Sequence, residues 1–353
     1  MIMGSNQISP RPLLGIGIPT YNRAACLSKS LNGMLEQSLM YRNDVLVAVC
    51  DNSSTDSTAN VIQMAKERYD QLCVVRNSVN IGGVANILRV IEVVDAEWVW
   101  VFPDDCLPEP GVIEKLVAVL NDARPPIVYL RCSQWSEASK GIYNVKKSDV
   151  LGSKGEICQH LSWLPCLLIH RKSVLCHFPA AYRLGCFSYP HLVLALSALS
   201  LVEDDRAILA VPAAFKTQPD VYITKRYSWI HGSLLQYANT VSSCLTSSQT
   251  RRVLRWSAKR EKMAVEALRA VVSEYQVVPP RTPWFILYYY GIGMLPMLLI
   301  YIWLRYIPNR VTLLLVKISA SVFRIARLGA TSVAMDRLHA RLSSREAKLT
   351  ANF

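Results

Sequence analysis

Residues 99–107 read V-W-V-F-P-D-D-C-L, an apolar run that ends, after Pro103, in two adjacent aspartates, Asp104 and Asp105. A short apolar run of this kind, rich in β-branched and aromatic residues and without polar alternation, reads as a strand buried on both faces. Two like charges delivered to one point by such a strand repel each other unless something positive sits between or beside them.

Similar runs lie on both sides. L-L-G-I-G-I (13–18), V-L-V-A-V-C (45–50), L-C-V-V-R (72–76), W-V-W-V-F (98–102) and I-V-Y-L (127–130) read as strands, separated by helical patterns at 24–38, 56–69, 84–94 and 109–121. The alternation predicts an α/β fold of β-α-β units with a mainly parallel sheet, which gathers ligands at the carboxyl ends of its strands. Residues 131–160 are polar and read as a long loop or insertion. A strand at 166–171, a buried helix at 192–199 and a strand at 207–211 then close the domain near residue 225.

The chain has 353 residues, half of them hydrophobic, and carries a net charge of +13 although only 18% are charged. That balance points to an acidic partner: nucleotide phosphates, anionic lipid or nucleic acid. The ten cysteines form no C-x-x-C pair, and several sit in apolar runs, which reads as reduced, buried thiols in a cytosolic compartment rather than zinc ligands or disulfides. The N-terminal M-I-M-G-S-N-Q-I-S-P-R-P has no apolar leader. Near the other end, a basic helix carries Arg251, Arg252, Arg255, Lys259, Arg260 and Lys262. Residues 284–304 then run without a charge, interrupted by Gly291, Gly293 and Pro296. This is about the length needed to cross a bilayer, and Tyr and Trp near both ends fit its interfaces. Arg310, Lys317, Arg324 and Arg327 follow on one face of an amphipathic helix suited to an anionic membrane surface. A monotopic attachment is favoured over a span, and because the basic residues accompany an apolar anchor, a nucleic-acid partner is excluded. The expected divisions are a catalytic domain at 12–225, a helical basic connector at 226–280, membrane-associated helices at 281–330 and a basic tail at 331–353.

Four strands deliver polar groups to one edge of the sheet. The first runs into P-T-Y-N-R (19–23), where Pro19 is expected to stop the ladder and Thr20, Tyr21 and Asn22 offer hydroxyls, an aromatic face and an amide. The second delivers Asp51 and N-S-S-T-D-S-T (52–58), a helix-opening sequence with Asp56 near its start. The third delivers R-N-S-V-N-I-G-G (76–83), whose glycines permit close backbone approach. The fourth delivers Asp104 and Asp105. An adjacent pair of carboxylates can cap a helix, split its pKa values as an acid/base pair, or hold a divalent cation. Pro108 and Pro110 stand between the pair and the next helix, where Glu109 and Glu114 are better placed to cap. A cation that also binds a diphosphate fits best.

In order, I-P-T-Y-N-R, C-D-N-S-S-T-D-S-T, N-x-G-G and F-P-D-D resemble the successive motifs of the family 2 inverting glycosyltransferases of GT-A fold, over about residues 12–125 and more loosely over 160–215. C-F-S-Y-P-H-L-V-L (186–194) further resembles the bacterial O-antigen and capsule branch, with its abequosyltransferase-like members. The resemblance implies transfer of a sugar from a nucleotide-sugar donor with inversion. By position it places Thr20 and Tyr21, with Asn22 beside them, at the nucleoside and Asp51 at the base. It places Asp104 at the ribose or donor sugar, Asp105 on Mg²⁺ or Mn²⁺, and Asn80, Gly82 and Gly83 along the nucleotide. The family's later acidic base is missing; the stretch reads Y-P-H, which makes His191 the nearest candidate base, with Glu203, Asp204 and Asp205 as competitor. A polyprenyl-pyrophosphate-linked glycan acceptor at the cytoplasmic face of a bacterial inner membrane would suit the basic, apolar C-terminal region. Two other readings are a silent membrane-bound scaffold that binds sugar nucleotides or lipid, and a nucleotidyltransferase, for which G-I-G-I-P-T is too poor in glycine.

Overall fold

The computed structural model describes residues 11–135, 141–153, 155–184, 189–202, 208–218 and 236–258. The chain divides into two units, Met1–Lys225 with Thr240–Leu245, and Arg226–Asn239 with Thr246–Phe353. In the second, the described residues include a helix at Ser247–Ala258 that carries Arg251, Arg252 and Arg255. The apolar run at 284–304 and the basic residues after it lie outside the described residues, and no described helix is long and apolar enough to cross a membrane.

The first unit holds the sheet. In chain order its elements are β1 (Leu14–Thr20), α1 (Ala24–Ser38), β2 (Val45–Asp51), α2 (Thr58–Arg68), β3 (Cys73–Arg76), α3 (Gly83–Val93), β4 (Trp98–Val101), β5 (Cys106–Pro108) and α4 (Val112–Ala123). They continue with β6 (Ile127–Cys132), β7 (Tyr143–Val145), α5 (Gly155–Leu161), β8 (Leu167–His170), α6 (Arg171–Val174), α7 (Phe178–Arg183), α8 (Pro190–Leu201) and β9 (Ile208–Thr217). The described strands form a nine-stranded sheet in the order β3-β2-β1-β4-β8-β6-β9-β5, with β7 also on β9.

The parallel expectation holds only for β3-β2-β1-β4, where each connection is a helical crossover. The other half is mixed: β8 is antiparallel to both β4 and β6, β9 is parallel to β6, and β5 and β7 are antiparallel to β9. The connection from β6 to β8 makes no crossover: β8 re-enters the sheet at the edge where β6 left it and runs back antiparallel. The 131–160 segment is not the irregular loop its polarity suggests. It contains β7, a helical turn at Asp149–Ser153 and α5. The last strand is also longer than the expected 207–211; it bends at Ala213, whose φ is +46°, so that one half pairs with β6 and the other with β5.

Glycine sets the centre of the sheet. Leu14, Ile16 and Ile18 of β1 are fully buried on one face. On the other, a Cβ at Gly15 would stand 2.2 Å from Val94 Cγ1 and one at Gly17 would stand 2.1 Å from Val90 Cγ1, so α3 and the residue after it lie directly on bare backbone. Pro19 does not end β1; it pairs with Cys50 of β2, and the strand continues to Thr20. Leu13 and Gly17 accept hydrogen bonds from β4 and the residue after it. By alternation the missing N–H of Pro19 points to that same side, where β4 has already ended, so no ladder bond is lost. Trp98 and Trp100 of β4 are buried and satisfy their indole N–H groups on the carbonyls of Pro125 and Pro165, each at 2.9 Å. The helix α8 is apolar on every side and packs against α3, α6, α7 and β8, as such a helix must. The nine described cysteines are all free thiols.

Gly17→Ala forces α3 off the sheet and lowers stability by about 1–3 kcal/mol in urea unfolding. Gly83→Ala, whose Cβ meets nothing within 4 Å, changes it by less than about 0.5 kcal/mol.

Candidate functional site

Because β1, β2 and β3 run parallel, their last residues Thr20, Asp51 and Arg76 stand side by side. The strand β4 ends opposite Gly17, and Phe102–Asp105 carry the chain along the same edge. There Thr20 Oγ1 donates to Asp104 Oδ2 at 2.9 Å. The positive partner that the acidic pair demands is Arg23, just before α1: its Nη1 donates to Asp104 Oδ1 at 2.8 Å and to Asp105 Oδ2 at 3.0 Å. Arg23 stands in the P-T-Y-N-R motif, yet the sequence reading gave it no role; a basic residue fixed at the mouth of a strand-end turn was the available signal.

Two further contacts hold the pair. Cys106 N donates to Pro103 O at 3.2 Å, closing a tight turn over both aspartates. Gln218, directly after β9, donates from its backbone N to Asp105 O at 3.0 Å, and from Nε2 to Asp104 O at 3.0 Å and Cys26 O at 3.1 Å. No sequence signal marks Gln218, because its partners are backbone atoms more than a hundred residues away. Burial pushes the Asp104 carboxyl up to about 6; Arg23 opposes this, Asp105 adds to it, and the Thr20 hydroxyl opposes it. Burial pulls the Arg23 guanidinium down, and its two carboxylates more than offset that.

The neighbouring strand ends are tied by side chains. Asp51, 1% exposed, accepts from Ser54 N at 2.9 Å and from Arg76 Nη1 at 2.5 Å, while Arg76 Nη2 reaches Ser54 O at 2.8 Å. Asn52 donates to Asn80 Oδ1 at 2.7 Å and accepts from Asn77 Nδ2 and Ile81 N, both at 3.0 Å. Asn77 also donates to Asn86, which reaches Cys50 O. Asn22, in the left-handed region at φ +50°, accepts from Thr55 N at 2.7 Å. Asp56 accepts from Thr58 N and Oγ1 at the start of α2 and from Ala24 N at the start of α1, anchoring both helices. Tyr21 is exposed. Gly82 holds a φ of +86° before α3, and Gly83 faces open space.

The structure thus brings Thr20, Asn22, Asp51, Asn80, Asp104 and Asp105 to one edge, with Tyr21, Gly82 and Gly83 at its surface. His191 forms no hydrogen bond with any of these residues. His191 lies in the first turn of α8, 4% exposed, and its Nε2 donates to Ser162 O at 2.9 Å. A carbonyl can only accept, so the remaining lone pair is on Nδ1, which is buried without a hydrogen-bond partner among the described residues. Burial lowers its pKa to about 4, and the enclosure that causes this also keeps the ring from an acceptor hydroxyl. The expectation that His191 serves as base is therefore corrected: a helix apolar on all sides draws its own N-terminus into the core. Glu203, Asp204 and Asp205 lie outside the described residues.

No group of three or more His, Cys, Asp or Glu that could hold a metal occurs among the described residues. Asp104 and Asp105 nevertheless direct two carboxylate oxygens at one cation, the Arg23 nitrogen. Two hard oxygens aimed at one cation fit what Mg²⁺ or Mn²⁺ takes from a protein when a diphosphate completes its shell.

The model of glycosyl transferase family 2 matches residues 16–173, from β1 into α6. A stretch of 94 residues, 26% of this chain, is 33% identical to abequosyltransferase RfbV of Salmonella typhimurium and covers 28% of it. A stretch of 70 residues, 20% of this chain, is 31% identical to poly(ribitol-phosphate) beta-glucosyltransferase of Bacillus spizizenii and covers 11% of it. The chain therefore matches less than a third of the length of these curated relatives. Among solved structures, S. aureus TarS 1-349 in complex with UDP superimposes with a TM-score of 0.55 at 13% identity, over 84% of this chain and 93% of that one. The likeness is one of fold, α/β and GT-A-like with a mixed sheet.

His191 gives a test of the corrected placement. Its folded pKa lies below the ordinary 6.5, so between those two values the unfolded chain binds the extra proton and stability is lost as pH falls. His191→Gln, which keeps a donor for Ser162, should lose less stability between neutral pH and about pH 4 than the parent, by up to roughly 3 kcal/mol. Equal slopes in pH-resolved urea titrations would contradict the buried placement.

Proposed function

We propose that this chain, whose residues 16–173 match family 2, is a glycosyltransferase of bacterial surface polysaccharide assembly, moving a sugar from a nucleotide-diphosphate donor to a glycan acceptor with inversion. The observation that carries this reading is the meeting of Thr20, Asp51 and the Asp104–Asp105 pair at one strand edge inside the matched region. Inversion needs one displacement: an acceptor hydroxyl attacks the anomeric carbon, the bond to the diphosphate breaks, and its electron pair leaves on the diphosphate oxygen. A divalent cation supplies charge neutralisation for that leaving group when bound.

Each residue then has a part. Asp51, held by Ser54 N and Arg76, presents a fixed carboxylate to the base, and Tyr21 and Thr20 border the nucleoside. Asn80, Gly82 and Gly83 line the nucleotide; open space in front of Gly83 leaves its backbone approachable. Asp104 takes the ribose or donor sugar and Asp105 the metal. With His191 in the core, the acidic run Glu203–Asp205 is the remaining candidate for deprotonating the acceptor. The relatives, an abequosyltransferase and a poly(ribitol-phosphate) beta-glucosyltransferase, support a surface-glycan acceptor. The apolar stretch 284–304 and its basic neighbours support one linked to polyprenyl pyrophosphate and held at an anionic membrane, with the catalytic unit on the cytoplasmic face of the inner membrane.

Thermal-shift measurements with UDP, GDP, CDP and dTDP, each with and without Mn²⁺, test the donor site, since a ligand of the folded state raises stability. One nucleotide should stabilise only with metal, and Asp105→Ala should abolish that gain and lower turnover at least about 100-fold, in line with removal of a group that stabilises transition-state charge. Stabilisation that is metal-independent and unchanged in Asp105→Ala would refute the assignment. Truncation near residue 280 should leave nucleotide binding intact while lowering transfer to a lipid-linked acceptor; equal transfer would place the acceptor in solution.

A further inference from the structure

We infer that Arg23 is the resting counter-ion of the acidic pair, and that a divalent cation enters the site by displacing it, together with the donor diphosphate rather than ahead of it. This rests on the metal-nucleotide reading above and adds a residue and an order of binding to it.

A single nitrogen, Arg23 Nη1, is within 3.0 Å of one oxygen from each carboxylate. The second oxygen of Asp104 is engaged by Thr20, so turning that carboxylate away from Arg23 sacrifices a buried hydrogen bond. A divalent ion bonds carboxylate oxygens at roughly 2.0–2.6 Å. Placed on the oxygens that face Arg23, it would stand against the guanidinium, and two positive groups in contact repel strongly where water is scarce. Cation and guanidinium therefore compete for one position.

Arg23 is well placed to give way. Its side chain is 30% exposed, whereas that of Asp104 is 5% exposed, and it precedes the first helical residue of α1 with an extended φ of −140°. It can swing toward solvent, whereas the backbone of the aspartates is held by Gln218 and the Pro103–Cys106 turn and the Asp104 carboxylate is held by Thr20. A metal ion alone offers nothing to the displaced guanidinium. A metal-bound diphosphate offers it oxygens, because planar guanidinium donors match phosphate. The nucleotide-free protein should accordingly hold divalent cations weakly, and the diphosphate should lift that penalty.

The test is Mn²⁺ binding to the full chain, read by the electron paramagnetic resonance of free Mn²⁺, without nucleotide and with UDP. Arg23→Gln should bind Mn²⁺ at least about ten-fold more tightly than wild type without nucleotide, a gain of the size expected from removing a like charge in contact. With UDP the gap should shrink to less than about three-fold. Lys29→Gln removes an exposed positive charge from the same helix without touching the pair, and should change affinity less than about two-fold. An Arg23→Gln protein that binds Mn²⁺ no more tightly than wild type, or a Lys29→Gln protein that gains as much, overturns the inference. If no protein takes up Mn²⁺ with any of UDP, GDP, CDP or dTDP, the metal reading itself falls. Should Arg23→Gln not fold, the wild type still decides. Its Arg23 Nε–Hε resonance, in ¹⁵N-arginine-labelled protein and assigned through Arg23→Lys, must shift on adding Mg²⁺ with UDP and stay in place with Mg²⁺ alone. An unmoved resonance in the Mg²⁺–UDP complex contradicts displacement.

Discussion

One guanidinium nitrogen shared between two adjacent carboxylates is the contact that lets β4 end in Asp104 and Asp105. Without it, the protein would bring two negative charges to the end of a fully buried strand, and Asp104 would lose the stronger of its two described opposing contacts, the other being the Thr20 hydroxyl. Much of the edge is arranged around that contact. The strand β1 ends at Thr20 to reach Asp104, α1 starts where Arg23 can reach both partners, and Gln218 and β5 fix the backbone of the turn. The arrangement is costly all the same, since burial still holds the Asp104 carboxyl up at about 6. A chain selected for stability alone would place an apolar or neutral residue there. Strain concentrated on a pair of carboxylates at the carboxyl edge of a parallel sheet is the signature of a site kept for a ligand.

The strand edge that carries the candidate site was legible because its strands run parallel. Such strands are continuous apolar runs that stop abruptly at polar turns, so the sequence around 13–20, 45–51, 73–76 and 98–105 marks both their existence and the edge where their ends collect. Glycine needed the structure to be understood: Gly15 and Gly17 admit a helix rather than a phosphate. The mixed half of the sheet was hidden for a different reason. The strands β5 and β7 have three residues each, too few for any periodicity to show, and they exist because β9 is there to pair with them.

Side-chain partnerships were the least legible layer. Arg23 stood in a recognised motif, but its bond to residues 81 and 82 positions later is a product of tertiary structure. Asn52, Asn77 and Asn80 follow strands and Asn86 lies in the helical pattern after them, and together they form a hydrogen-bonded brace between two strand ends. His191 failed in the opposite direction. Its chemistry suited a base, and only the uniform apolarity of the helix that follows it indicated that its first turn would be inside.

On the proposed reading, these features form a donor edge whose acidic pair is balanced by Arg23 until a nucleotide diphosphate arrives. The most direct test is a crystal structure of the protein with UDP, or whichever diphosphate proves to bind, and Mn²⁺, with the metal located by its anomalous scattering. The account predicts a single manganese peak bonded to Asp105 and to the diphosphate, with the base beside Asp51 and Arg23 withdrawn from between the aspartates. A nucleotide bound away from this edge, or one bound here with Arg23 still bridging Asp104 and Asp105 and no metal between them, would contradict it.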